Sequence, residues 1–188
     1  LLGDQQSGQI HAIGFSMYMD LLEQAVQSLQ AGNEPNFNLL QNQQAEVDLG
    51  VTALLPEDYI NNVNIRLNLY KRLANCKQSV DIENFQCEII DRFGLLPEAT
   101  QNLIISTAIR LQCEAIGIKK CEIRPSTIKM TFNEAPKINP KQLIDMIQQE
   151  PSRYRLTAPN TLQVTTENAH PKQQKKHFEE TIKRLQVQ

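Results

Sequence analysis

Hydrophobic positions along this chain change period several times, and each change marks an element. Phe15, Met17, Tyr18, Leu21, Leu22, Ala25, Val26 and Leu29 recur at helical spacing, which predicts a helix that runs to about Ala31 and stops at Gly32. Residues 33–44 are rich in Asn and Gln and read as a tether. Val47, Leu49 and Val51 then alternate with Glu46, Asp48 and Thr52, the period of a half-buried strand. Three helices are predicted next. The first spans about 57–76 with Ile60, Val63, Leu67 and Tyr70 inward, and the second about 80–93 with Ile82, Phe85, Ile89 and Phe93 inward. The third spans about 97–116 with Leu103, Thr107, Leu111 and Ala115 inward, and Gly117 closes it. Residues 118–124 and 127–132, joined by Pro125 and Ser126, read as a hairpin. Asn139 before Pro140 starts a helix to about 149, ended by Pro151. A second hairpin pairs 153–157 with 162–166 across Ala158, Pro159 and Asn160, and a last helix covers 171–185 with Phe178, Ile182 and Leu185 on one side. Grouped rather than alternating strands and helices indicate an α+β fold, a helical bundle packed with short antiparallel β-hairpins and preceded by a long N-terminal helix.

The densest punctuation lies at 88–98, EIIDRFGLLPE. Asn84, Glu88 and Asp91 fall opposite the apolar stripe of their helix, so both carboxylates are expected to face outward. Gly94 supplies a left-handed stop, and Pro97 with Glu98 suits the first turn of the following helix. Two acids three residues apart form either a solvated face or a docking site for basic side chains, and spacing alone leaves both open. LLPE occurs twice, at 54–57 and 95–98, and reads as shared helix-start chemistry because the flanking residues differ.

Composition narrows the function classes. With 188 residues and a formal charge of −2, the chain is long enough for one domain with a true core and lacks the overall charge for a whole-surface grip on nucleic acid or acidic lipid. Cys76, Cys87, Cys113 and Cys121 show no metal-ligand spacing and are expected to be free, buried thiols in a reducing cytoplasm. There is no phosphate-binding loop, dinucleotide fingerprint or nucleophile elbow, and His11, His170 and His177 neighbour no plausible nucleophile, so the chain is not expected to be an enzyme or to hold a cofactor or metal. No transmembrane run or secretion signal is present. In the leading LLGDQQSG, glycines could place Gln6 and Ser7 against a phosphate backbone or a neighbouring domain, or form a plain loop. The last helix is locally basic, with Lys172, Lys175, Lys176, Lys183 and Arg184 against Glu179 and Glu180, and reads as a solvated helix or a salt-sensitive DNA contact.

EIIDRFGLLPE, together with QQSGQIHAIGFSMYMDLLEQAV, LLPEDYINNVNIRLNLYKRLA and DMIQQEPSRYRL, resembles the C-terminal region of the bacterial transcription-repair coupling factor family, over most of residues 1 to about 165. The resemblance implies a piece of an ATP- and Mg-dependent DNA translocase that removes stalled RNA polymerase and recruits the excision-repair damage-recognition ATPase. It implies that residues 1–14 are the tail of a translocation motif, with Gln6, Ser7 and Gly8 in it and its arginine upstream of Leu1, so that the element is incomplete and inert here. Residues 15–45 would be a linking helix and tether, the helix either packing ordinarily or clasping the motor, and 46–188 a C-terminal regulatory domain. In the family that domain docks on an N-terminal repair-binding module, and Glu88 and Asp91 match its acidic interface residues. The rival reading is a DNA-binding accessory domain that uses Gln6 and the basic last helix, and a third is a folded spacer without a partner of its own.

Overall fold

Asparagine side chains set several of the element boundaries in the computed structural model, which describes residues 44–186. Asn62 caps α1 (Val63–Ala74), its Oδ1 accepting from the Ile65 N–H at 3.1 Å. The helix predicted from 57 therefore begins six residues later. Pro56 and Glu57 lead only into a short turn, closed by Ile60 N–H on the Pro56 carbonyl at 3.0 Å, because Asn61 and Asn62 favour caps over helix interior. The inward face shifts with the start: Val63 is 54% exposed, and Leu69, Tyr70 and Leu73 are the buried residues of α1.

In α2 (Ser79–Phe93), Asp81 accepts from the Lys77 and Gln78 N–H groups at 2.9 and 3.0 Å, and Ile82, Phe85 and Ile89 face inward as their spacing predicts. Gly94 ends it at φ 87°, ψ −162°, a positive-φ extended conformation rather than the left-handed helical one expected. Following Pro97, α3 (Glu98–Ile116) is buried on two sides, which a single stripe does not describe. Ala115 is exposed, whereas Ile105, Ile109, Cys113 and Ile116 face one core and Ile104, with Leu103 and Leu111 against it, faces another. Cys76, Cys113 and Cys121 are buried free thiols, but Cys87 is exposed because it lies on the outer side of α2.

The two hairpins fuse into one sheet with a fifth strand. β1 (Glu46–Asp48), β2 (Ile118–Arg124), β3 (Thr127–Phe132), β4 (Tyr154–Ala158) and β5 (Thr161–Thr165) lie in the order β1-β2-β3-β5-β4. β1 runs parallel to β2, and the remaining pairs are antiparallel. β1 is shorter than its alternation predicts: the Asp48 carboxylate accepts from the Gly50 N–H at 2.8 Å, Gly50 takes φ 64°, and Val51 is left exposed. Asn139 caps α4 (Pro140–Gln149) as predicted, accepting from the Lys141 and Gln142 N–H groups. The last helix, α5 (Pro171–Leu185), buries Phe178, Ile182 and Leu185 as predicted.

One core fills the space between the sheet and α3, α4 and α5, with Ile109, Cys121, Ile128, Met130, Leu162, Val164 and Phe178 at 0% exposure. The second packs α1 and α2 on the far side of α3, through Leu69, Leu73, Ile82, Phe85, Ile89 and Ile104. Arg110 crosses between them, bonding Glu114 at 2.9 Å and the Ala74 and Cys76 carbonyls at 3.2 and 3.3 Å. The outer surface of α2 is thus held on the side of the molecule away from the sheet. The helix predicted over 15–31 lies outside the described residues.

Candidate functional site

Glu88 and Asp91 both lie on the outer side of α2, three residues apart, but their surroundings differ. Glu88 is a half-buried carboxylate between two guanidinium groups. Arg72 of α1 donates to both its oxygens, at 2.8 and 2.5 Å, and Arg92, one turn along α2, donates to Oε1 at 2.8 Å. These charge-assisted bonds, Arg72 first and Arg92 second, hold the Glu88 pKa down to about 2, and the same pairing raises that of Arg72. Each arginine is also placed against a ring: Arg72 lies 5.9 Å from the centroid of Phe85 and Arg92 4.9 Å from that of Phe93. Asp91, by contrast, is exposed, and among the described residues no hydrogen bond or ion pair reaches it.

On either side of Asp91 the chain exposes an apolar side chain. Leu95 is 89% exposed and Ile90 37%. The turn that carries Leu95 is fixed from outside α2: the Tyr59 hydroxyl donates to the Gly94 carbonyl at 2.8 Å, and the Tyr59 and Phe93 rings meet edge to face at 6.1 Å. The surface therefore presents the free Asp91 carboxylate, a locked Arg-Glu-Arg row and a leucine held in water. Burial of an exposed leucine by a partner contributes about 2 kcal/mol, and a free carboxylate beside it adds orientation.

Sequence reading located both acids and missed Arg72, Arg92, Tyr59 and Leu95. Arg92 was legible as the i+4 neighbour of Glu88, within the same eleven residues. Arg72 comes from another helix, sixteen residues away, and only the packing of α1 on α2 brings it there. Gln6, Ser7 and Gly8 lie outside the described residues, as does His11. On α5, Arg184 bonds Glu150 at 2.8 Å and Lys175 pairs with Glu179 at 3.4 Å, so part of that basic character is used internally. Among the described residues no cluster of His, Cys, Asp and Glu could hold a metal ion, and no helix is long and apolar enough to cross a membrane.

Helices on one side of a five-stranded mixed sheet, with a second helical layer beyond α3, define an α+β domain. The chain belongs to the transcription-repair coupling factor family, its residues 49–143 matching the TRCF domain. It is 44% identical to the transcription-repair-coupling factor of Haemophilus influenzae over 159 residues, which cover 85% of this chain and 14% of that protein. The Escherichia coli factor is also 44% identical, over 86% of this chain and 14% of its own length. The chain thus spans about one-seventh of the length of these relatives. A solved crystal structure of the C-terminal domain of a transcription-repair coupling factor has the same fold, with a TM-score of 0.61 and 18% identity over 77% of this chain and 95% of that one.

Proposed function

We propose that this chain is the regulatory docking domain of a transcription-repair coupling factor, a cytoplasmic DNA translocase that removes stalled RNA polymerase and recruits excision repair. On this reading residues 46–188 fold back onto the N-terminal repair-binding module and cover its surface for the damage-recognition ATPase, while 15–45 tether them to the motor. The reading is carried by one observation: unpaired Asp91 lies on the same exposed helix end as Leu95, whose backbone turn is fixed by Tyr59. A small apolar anchor beside a free charge suits a contact that forms within one molecule. With an intrinsic Kd of about 0.1 mM and a tethered effective concentration of about 1 mM, the closed state is favoured roughly tenfold, and the latch remains easy to open.

The locked Arg72-Glu88-Arg92 row changes which variant tests this. Reversing Glu88 would set three cations together within the domain and disturb its own packing. Asp91→Arg alone removes the free charge, and Leu95→Ala removes the anchor. In the full-length protein each is expected to raise affinity for the repair ATPase, by up to about tenfold, with thermal unfolding of the domain unchanged. Unchanged affinity in the double variant would leave the chain a folded spacer.

A further inference from the structure

The helices α3, α4 and α5 pack on one face of the sheet, and the other face is polar from edge to edge. Alternation and register set its membership: Glu46 and Asp48 on β1, Lys120, Glu122 and Arg124 on β2, Thr127, Lys129 and Thr131 on β3, Thr161, Gln163 and Thr165 on β5, and Arg155 on β4. The charges are not mixed evenly. All three acids lie on β1 and β2, where Lys120 pairs with Glu46 and Glu122 at 3.6 and 3.8 Å and Arg124 with Asp48 at 2.6 Å. The half formed by β3, β5 and β4 has no outward carboxylate, and among the described residues Lys129 and Arg155 have no ion pair.

Lys129, Gln163 and Arg155 form one row across three strands, each directly opposite the next in the register, and Glu122 of β2, shared with Lys120, lies opposite Lys129 on its other side. The two cations are therefore about 10 Å apart, two strand spacings, with the glutamine between them. Gln163 is only 9% exposed although it lies on the open face, and no hydrogen bond within the described residues reaches its amide. Threonines flank the row on both sides, Thr131 and Thr161 bonded to each other at 3.2 Å and Thr127 opposite Thr165. Lys and Arg cations with Gln and Thr donors beside them are the set that contacts phosphate oxygens. The row holds no aromatic side chain on which an unstacked base could rest and no apolar pocket to anchor a protein side chain, which leaves a stacked, uniformly charged backbone as the fitting occupant.

We propose that the outward face of β3, β5 and β4 tracks the phosphate backbone of double-stranded nucleic acid through Lys129, Gln163 and Arg155, without reading its sequence. Two phosphate contacts give a log–log salt slope of about −2, so affinity falls about tenfold between about 50 and 200 mM salt. The test is fluorescence anisotropy of a labelled random duplex of about 20 base pairs with the 188-residue chain. Lys129→Glu with Arg155→Glu should lower affinity at least tenfold, the milder Lys129→Gln with Arg155→Gln should flatten the salt slope, and Gln163→Ala should weaken binding less. Lys172→Glu with Lys176→Glu, on α5 and away from this face, should change nothing. Duplex affinity unchanged in both sheet pairs, loss only in the α5 pair, or tighter binding of a single strand or an acidic peptide would each overturn the proposal.

Discussion

Glu88 holds its proton only in strong acid because two arginines are already bonded to its carboxylate. A depressed pKa contributes stability that is complete above the ordinary value of 4.5 and is lost as pH falls through about 2. The Arg72-Glu88-Arg92 row is thus expected to be intact at neutral pH and to loosen between about pH 4.5 and 2, a window that carboxyl-carbon NMR of Glu88 would show directly. Because these side chains are partly exposed, Glu88→Gln should cost no more than about 1 kcal/mol. Two glycines separate backbone strain from crowding in the same way. At Gly94 an added Cβ meets nothing within 4 Å, so Gly94→Ala carries only the conformational cost, about 1 to 3 kcal/mol. At Gly117, also at positive φ, the Cβ would lie 2.8 Å from the Asn133 side chain and 3.0 Å from the Pro136 backbone. Chemical denaturation should find Gly117→Ala the more damaging of the two.

At the scale of elements, short polar side chains decide where helices begin and how they join the sheet. Asn139→Ala removes two acceptor contacts from the start of α4 and should destabilise the fold by about 1 kcal/mol, measured as a lower urea midpoint with an unchanged slope. Gln174 does a larger task at the start of α5. Its buried amide donates to the Pro125 carbonyl and to Thr166, and its oxygen accepts from Thr166, which ties the helix to the β2–β3 turn and the end of β5. Gln174→Leu keeps most of the volume but leaves these groups unpaired, and should cost about 1 to 3 kcal/mol. Amide exchange would then accelerate in α5 and around 125–126 before it does in α1 and α2, which belong to the other core.

For the whole molecule, α3 is the partition on which both layers depend. One side completes the sheet core and the other receives α1 and α2, so the end of α2 and the open sheet face are held at opposite sides of one body. That separation allows the two surfaces to be tested independently. Asp91→Arg should alter contacts with a protein module and leave duplex affinity unchanged, whereas Lys129→Glu with Arg155→Glu should do the reverse. Ile109, at 0% exposure on the sheet side of α3, is a position where one truncation should weaken the fold through the partition itself: Ile109→Ala is expected to cost about 2 to 5 kcal/mol in thermal or chemical unfolding.

Local chemistry was written plainly along the chain. The stripe of Ile82, Phe85 and Ile89, the cap at Asn139, the tight link at Pro125 and Ser126 and the stop at Gly117 each act within a few residues, so composition and spacing were enough to place them and to mark Glu88 and Asp91 as outward. Where two local signals competed, as Pro56 and Asn62 do for the start of α1, the Asn62 cap prevailed, and Leu69, Tyr70 and Leu73 became the buried face. The remaining features join residues far apart in sequence. The parallel pairing of β1 with β2, the seam between β3 and β5, the second buried side of α3 and the reach of Arg72 to Glu88 depend on which surfaces meet once the chain has collapsed. Sequence alone marked most elements of residues 44–186 and set Glu88 and Asp91 on the outward side of α2. Arg92, one turn along the same helix, was legible beside Glu88, but only tertiary packing brought the second guanidinium, because Arg72 is delivered by a different helix.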